Sequence, residues 1–313
     1  MKSAIRASWT RFVASGSAVV AAYAAMVSIW GTTWLGIKIS LTGLPPLTGA
    51  GIRFLLAGVF LYALALAMRV DLRRRAPLHL ILVLAVTMFG LNYALTYVAE
   101  THLSSGLVAV LFGTMPFFIF GFAHFMVGER ATRRTIAGAL LALGGVAVIS
   151  LVGDVRADVL FVLAALVASA SSGFANVYLK RFADAEPFAT LAPAMLVAGL
   201  GLSASGLAFE HTDWQRAVAT PSLLALFYLA FCGSAVAFFL NHWLLKRVDS
   251  GVVGLSALMI PVIAVAVGAL AGGEVFGARD IAGALLVLSG VWLAVGRQWS
   301  FRGGSAVGRE LAA

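Results

Sequence analysis

Apolar residues in this chain come in runs of about 20, the length at which a helix crosses a hydrocarbon core of about 30 Å, and short polar stretches separate the runs. The pattern predicts ten helices, at roughly 18–39, 46–68, 78–99, 104–127, 133–151, 158–180, 187–209, 221–244, 250–272 and 279–297. Connections this short make successive helices antiparallel neighbours. The first run is too long for the apolar stretch of a secretory signal and has no small-residue cleavage site after it, so it reads as the first spanning helix.

A second pattern lies over the first. The stretch from Ser105 to Val146 returns from Ser250 to Val291 at a constant offset of 145, with 16 of 42 positions identical. Ser105-Gly106, Pro116, Gly128-Glu129 and IAGALL at 136–141 answer to Ser250-Gly251, Pro261, Gly273-Glu274 and IAGALL at 281–286. WGTTWLGIK at 30–38 matches SGFANVYLK at 172–180 at offset 142, and residues 46–58 match 187–199 at offset 141. Each copy holds five predicted helices, an odd number, so the second copy enters the membrane upside-down relative to the first. The expected fold is all-α and integral to the membrane: ten transmembrane helices as two inverted five-helix repeats, residues 18–151 and 158–297. A cytoplasmic tail (1–17) precedes them and a disordered cytoplasmic tail (298–313) follows.

Composition agrees. The chain is 61% hydrophobic and 11% charged, whereas a soluble domain carries about a quarter of its residues as charges. The net charge of +9 comes from Lys and Arg spread over loops, not gathered into a nucleic-acid patch. One set of alternate loops with both termini holds 17 of these cations and the opposite set holds 3, which places both termini in the cytoplasm. The lone Cys232 has no partner for an internal disulfide. The chain has no HExxH helix, no G-x-S-x-G nucleophile and no clustered acids, so the reading is not an enzyme, with neither metal nor cofactor.

Trp30-Gly31 with Lys38, Arg53-Phe54, Pro116 with Gly128-Glu129, and Ser250-Gly251 with Pro261 and Gly273-Glu274 carry a family resemblance over roughly residues 20–297. Together with the repeat they resemble the drug/metabolite transporter superfamily, in its ten-helix branch with two EamA domains. The resemblance implies a multi-pass protein of the bacterial inner membrane that exports small metabolites, often amino acids. It does not fix the solute.

All thirteen carboxylates fall in loops, tails or near helix ends. Ion-driven carriers keep an ionisable acid at membrane depth, so the pattern points to a facilitator, with Glu100, Glu129 and Glu274 as the boundary residues that would otherwise couple transport to an ion. Lys38 near a helix end either snorkels to headgroups or faces the substrate path. Arg53 lies about 10 Å inside the second helix, where it either caps carbonyls or pairs with Glu100, or binds a substrate carboxylate. Trp30 and Trp34, and Tyr93 and Tyr97, are each one helical turn apart. Such pairs pack a core or wall a cavity, and Asn92, Asn176, Tyr178, Ser234 and Asn241 supply polar tips for the second reading. Pro116 and Pro261 are symmetry mates and candidate hinges. Gly138, Gly144, Gly145, Gly283 and Gly290 make thin faces for helix packing within the bundle or in a dimer. The sequence thus predicts a transporter of small polar metabolites, amino acids foremost, working by alternating access through a central cavity. Its partners are the lipid bilayer and a small-molecule substrate, and it is a monomer or homodimer. A proton-coupled exporter of cationic drugs or other metabolites is the competing reading.

Overall fold

The computed structural model describes residues 16–72, 76–103, 105–150, 158–263 and 277–295. Most of the N-terminal tail, the C-terminal tail and Gly273-Glu274 lie outside these residues. In chain order the helices are α1 (Gly16–Ser40), α2 (Pro46–Ala67), α3 (Leu78–His102), α4 in two pieces (Ser105–Phe112 and Met115–Met126) and α5 (Arg133–Ser150). The second half supplies α6 (Val159–Arg181), α7 (Pro187–Phe209), α8 (Thr220–Leu245), α9 (Ser250–Ile263) and α10 (Ala278–Val295), with a single turn at Trp214–Ala217 between α7 and α8. Six of them, α1, α2, α3, α6, α7 and α8, are long and apolar enough to cross a bilayer by length and composition.

Local chemistry explains the ends. Pro46 and Pro187 open α2 and α7 at positions where a missing N–H costs nothing. The Glu210 carboxylate, just past the end of α7, accepts from the Leu47 and Thr48 amides at 2.7 and 2.8 Å and so pins the start of α2. Gly128 ends α4 in the left-handed region, with φ of +72°.

Repeat mates pack against each other. A Cβ on Gly58 would lie 3.0 Å from the Ala192 carbonyl oxygen, and one on Gly199 would lie 3.0 Å from that of Gly51. Gly58 and Gly199 are equivalent positions, as are Gly51 and Ala192, so the contact is reciprocal. Gly51 in turn meets Ser203, and Gly206 meets Thr48, so α2 and α7 run antiparallel. The same holds for α5 and α10, where a Cβ on Gly138 would lie 2.5 Å from the Gly290 carbonyl oxygen and one on Gly145 would lie 2.7 Å from that of Gly283. Reciprocal antiparallel contact is what a two-fold axis perpendicular to both helices produces. No larger residue fits at these crossings, because backbone meets backbone. Gly144 differs from the expectation, since a Cβ on it would meet no other part of the chain within 4 Å and it takes no part in this crossing.

Two features escaped the apolar pattern. Residues Ala85–Leu91 of α3 and Leu229–Val236 of α8 are π-helical, each a widened stretch inside an otherwise α-helical span. The expected hinge at Pro116 is also placed differently. The break in α4 falls before it, at Gly113-Thr114, and Pro116 sits in the first turn of the second piece, where proline is tolerated. Pro261 is buried within the last turns of α9.

Candidate functional site

A partly open cavity of about 700 Å³, counting the space that opens to its surroundings, draws its walls from both repeats. From the first repeat come Trp30, Thr33, Trp34 and Ile37 of α1, Asn92, Tyr93 and Thr96 of α3, and Phe112 and Met115 of α4. From the second come Ser172 and Asn176 of α6, Phe238 and Asn241 of α8, and Val253, Gly254, Ser256, Ala257 and Ile260 of α9. Within each helix these positions recur every three or four residues, so each helix turns a single face to the space. In α3 and α8 the facing residues come directly after the π-helical stretch, which sets the rotation of that face.

The polar groups on the wall form short chains. Asn241 Nδ2 donates to Asn176 Oδ1 at 3.0 Å, and Asn176 Nδ2 donates to the Ser172 carbonyl at 2.9 Å. Asn92 Nδ2 donates to the Met88 carbonyl at 3.2 Å, and Thr96 Oγ1 donates to Asn92 Oδ1 at 3.4 Å. Asn241 Oδ1 and Ser256 Oγ are buried without any hydrogen-bond partner. A buried polar atom left unpaired costs about 1–3 kcal/mol, and these two lie on one cavity wall. Aromatic faces complete the wall. Trp30 packs edge-on against Phe238 with ring centroids 5.4 Å apart, and Trp34 against Phe112 at 6.4 Å. Among the described residues, no charged side chain lines the cavity.

Six of the eleven residues singled out from the sequence therefore face the cavity: Trp30, Trp34, Asn92, Tyr93, Asn176 and Asn241. Lys38, Arg53, Tyr97, Tyr178 and Ser234 do not, and each has a physical reason. Arg53 is 1% exposed and fully engaged. Its Nε donates to Ser234 Oγ at 2.7 Å, its two terminal nitrogens donate to the Tyr97 hydroxyl and the Gly233 carbonyl at 3.3 Å, and it lies 4.9 Å from the Tyr93 ring centroid. Among the described residues no carboxylate lies within ion-pair distance of it, so Glu100 is not its partner. The cation is held by dipoles and ring faces behind the wall, and Tyr97 and Ser234 serve it. Its link to the cavity runs through Gly233, whose carbonyl also accepts from the Trp30 indole at 3.3 Å. Tyr178 stacks on Phe174 at 5.7 Å and abuts Phe182 at 5.3 Å, away from the cavity.

Lys38 is exposed near the end of α1, whereas its mate Lys180 is held in place. Lys180 Nζ donates to the carbonyls of Leu245 and Val248 at 2.6 and 2.8 Å and lies 3.9 Å from Glu129. Glu129 accepts from the Ser250 amide at 2.8 Å and hydroxyl at 2.5 Å, capping α9. Asn176 and Asn241 stand one turn inward of this cluster on α6 and α8.

Sequence reasoning missed Ser172, Ser256, Phe112, Met115, Phe238 and the α9 face. Helices apolar on every side carry no periodic signal that separates a cavity face from a lipid face. Ser256 is one small hydroxyl in such a helix.

Membrane-crossing helices around a central space lined by both halves define a membrane transporter. The chain belongs to the EamA-like transporter family, which it matches over residues 16–151 and 159–296. It is 30% identical over 257 residues to the uncharacterized inner membrane transporter YedA of Escherichia coli strain K12, covering 80% of this chain and 81% of that one. It is 28% identical over 285 residues to a probable amino-acid metabolite efflux pump of Salmonella typhimurium, covering 86% and 92% of the two chains. A solved crystal structure shares the fold, with a TM-score of 0.79 at 22% identity, covering 96% of this chain and 100% of that one.

Proposed function

We propose that the protein exports small polar metabolites of no net charge, amino acids foremost, by alternating access through the cavity between two inverted repeats, residues 18–151 and 158–297. Both termini are cytoplasmic in this reading, so the Lys180 end of the bundle faces the cytoplasm and the Lys38 end faces outward. The observation that carries it is the wall of Asn241 and Ser256, with a free amide oxygen and a free hydroxyl, set among aromatic faces and with no charged side chain among the described lining residues. Asn241 Oδ1 can only accept, which suits a substrate ammonium, and Trp and Tyr faces attract the same cation. Ser256 Oγ can donate to a carboxylate. The aromatic rings leave room for a variable side chain. The printed description of the Salmonella relative, an amino-acid metabolite efflux pump, supports this choice of solute.

Purified protein in liposomes, challenged with radiolabelled neutral amino acids, sugars and cationic dyes, tests the reading. Neutral amino acids should move, and Asn241→Ala should reduce their flux by roughly tenfold or more, the weight of one charge-assisted hydrogen bond. Transport of cationic dyes in preference to amino acids, dependent on a pH gradient, would replace this reading with proton-coupled drug export.

A further inference from the structure

Of the three boundary carboxylates, Glu129 is occupied in capping α9 and Glu274 lies outside the described residues. Glu100 is the anomaly. Its Oε1 is buried with no hydrogen-bond partner, near the Lys38 end of α3. It stands one turn beyond Thr96, on the face that lines the cavity.

The repeat shows what sits at the matching place. With offsets of 142 for α1 against α6 and 145 for α3 against α8, Lys38 answers to Lys180, Trp34 to Asn176, Thr96 to Asn241 and Glu100 to Leu245. At the inner mouth these mates are joined. Asn241 bonds Asn176, and one turn further out Lys180 reaches across to the Leu245 and Val248 carbonyls. At the outer mouth Lys38 is exposed, makes no salt bridge with Glu100 among the described residues, and leaves Glu100 Oε1 without a hydrogen-bond partner. The structure therefore has its inner mouth fastened and its outer mouth unfastened.

We propose that Lys38 and Glu100 are the outer fastening: when the outer mouth closes, the Lys38 ammonium docks on the Glu100 carboxylate, as Lys180 now docks at the inner mouth. A two-fold related unit uses the same contact alternately at its two ends. The substitution of a carboxylate for leucine at position 100 lets the outer lysine pair directly with the facing helix, where the inner lysine meets that helix only through the Leu245 and Val248 carbonyls and has its carboxylate, Glu129, on α4 at 3.9 Å. An unpaired buried carboxylate is costly in the outer-open state and is relieved on closure, which favours closing over remaining open. The inference rests on the alternating-access reading above.

The test needs no known substrate. In a Cys232→Ala background, Ser256→Cys places a thiol on the cavity wall, and a membrane-impermeant maleimide reports its accessibility from either side in inverted or right-side-out vesicles. Labelling from the cytoplasmic side requires the outer mouth to be closed. Lys38→Met and Glu100→Gln should each lower it by roughly five- to tenfold while labelling from outside persists, the weight of one partly buried ion pair. The double variant should fall no further than either single one, and Lys38→Glu with Glu100→Lys should recover to within about twofold. Lys180→Met, which loosens the inner mouth, should raise cytoplasmic labelling. Unchanged cytoplasmic labelling in Glu100→Gln, or effects of the two single variants that multiply, would overturn the pairing. Wild-type protein that never labels from the cytoplasm would instead overturn alternating access itself, and the pairing with it.

Discussion

Replacing Arg53 by Gln should weaken the fold far more than it weakens transport. The guanidinium makes three hydrogen bonds, to Ser234, Tyr97 and Gly233, and lies against the Tyr93 and Phe54 rings at 4.9 and 5.5 Å. A glutamine amide is shorter and keeps at most one of these bonds. Two lost charge-assisted bonds at about 1.5–3 kcal/mol each, with about 1–2 kcal/mol of ring contact, are offset in part by no longer burying a charge. The net expectation is a loss of about 3–5 kcal/mol, or of the order of 10 °C in melting temperature. Trp30 keeps its place on the wall because the Gly233 carbonyl keeps its bond from the indole; flux per folded molecule should therefore fall by less than about threefold, well under the weight of a direct substrate contact. Thermal unfolding in detergent, followed by flux normalised to folded protein in liposomes, measures both quantities. An unchanged melting temperature with flux reduced more than about tenfold would refute the structural assignment and return Arg53 to the substrate path.

Gly145→Leu should disrupt assembly of α5 with α10, since its Cβ would already lie 2.7 Å from the Gly283 carbonyl, while Gly144→Leu one position earlier should be tolerated; yield of monodisperse protein separates the two. Glu210→Gln should lower the melting temperature by a few degrees, because the amides of Leu47 and Thr48 would lose a charged acceptor. Reporter fusions after Arg75 and after Asp213 should report opposite sides of the membrane, and equal signals would contradict the inverted arrangement. Solute flux should continue down its own gradient with pH and sodium gradients collapsed, since among the described residues no carboxylate lines the cavity; complete loss of flux would show obligatory ion coupling.

The helices and their repeat were legible because bilayer thickness sets the length of each apolar run and because a duplicated gene leaves matched glycines and prolines. The paired glycines of α5 and α10 show this directly: the face inferred from Gly138 and Gly145 is where backbone meets backbone. The site was legible only where polarity stood out against an apolar background, as with Asn92, Asn176 and Asn241. Arg53 stayed open between two roles because a buried cation looks the same in sequence whether it faces a ligand or a helix carbonyl. What decides between them is the π-helical stretch beside it, and no residue pattern announces a widened turn. Ser256 and Phe238 went unseen for the related reason that a cavity face and a lipid face are both apolar in this fold.

The widened turns also recur between the halves. One residue added to a helix without breaking it swings everything downstream by about 100°. Ala85 and Leu229, where the two stretches begin, are 144 positions apart, inside the 141–145 range that relates the two halves of the chain. The two halves therefore carry the same irregularity at corresponding places. Each stretch sets the direction of the residues that follow it, so Asn92 and Tyr93 in one half and Phe238 and Asn241 in the other are aimed at the same central space.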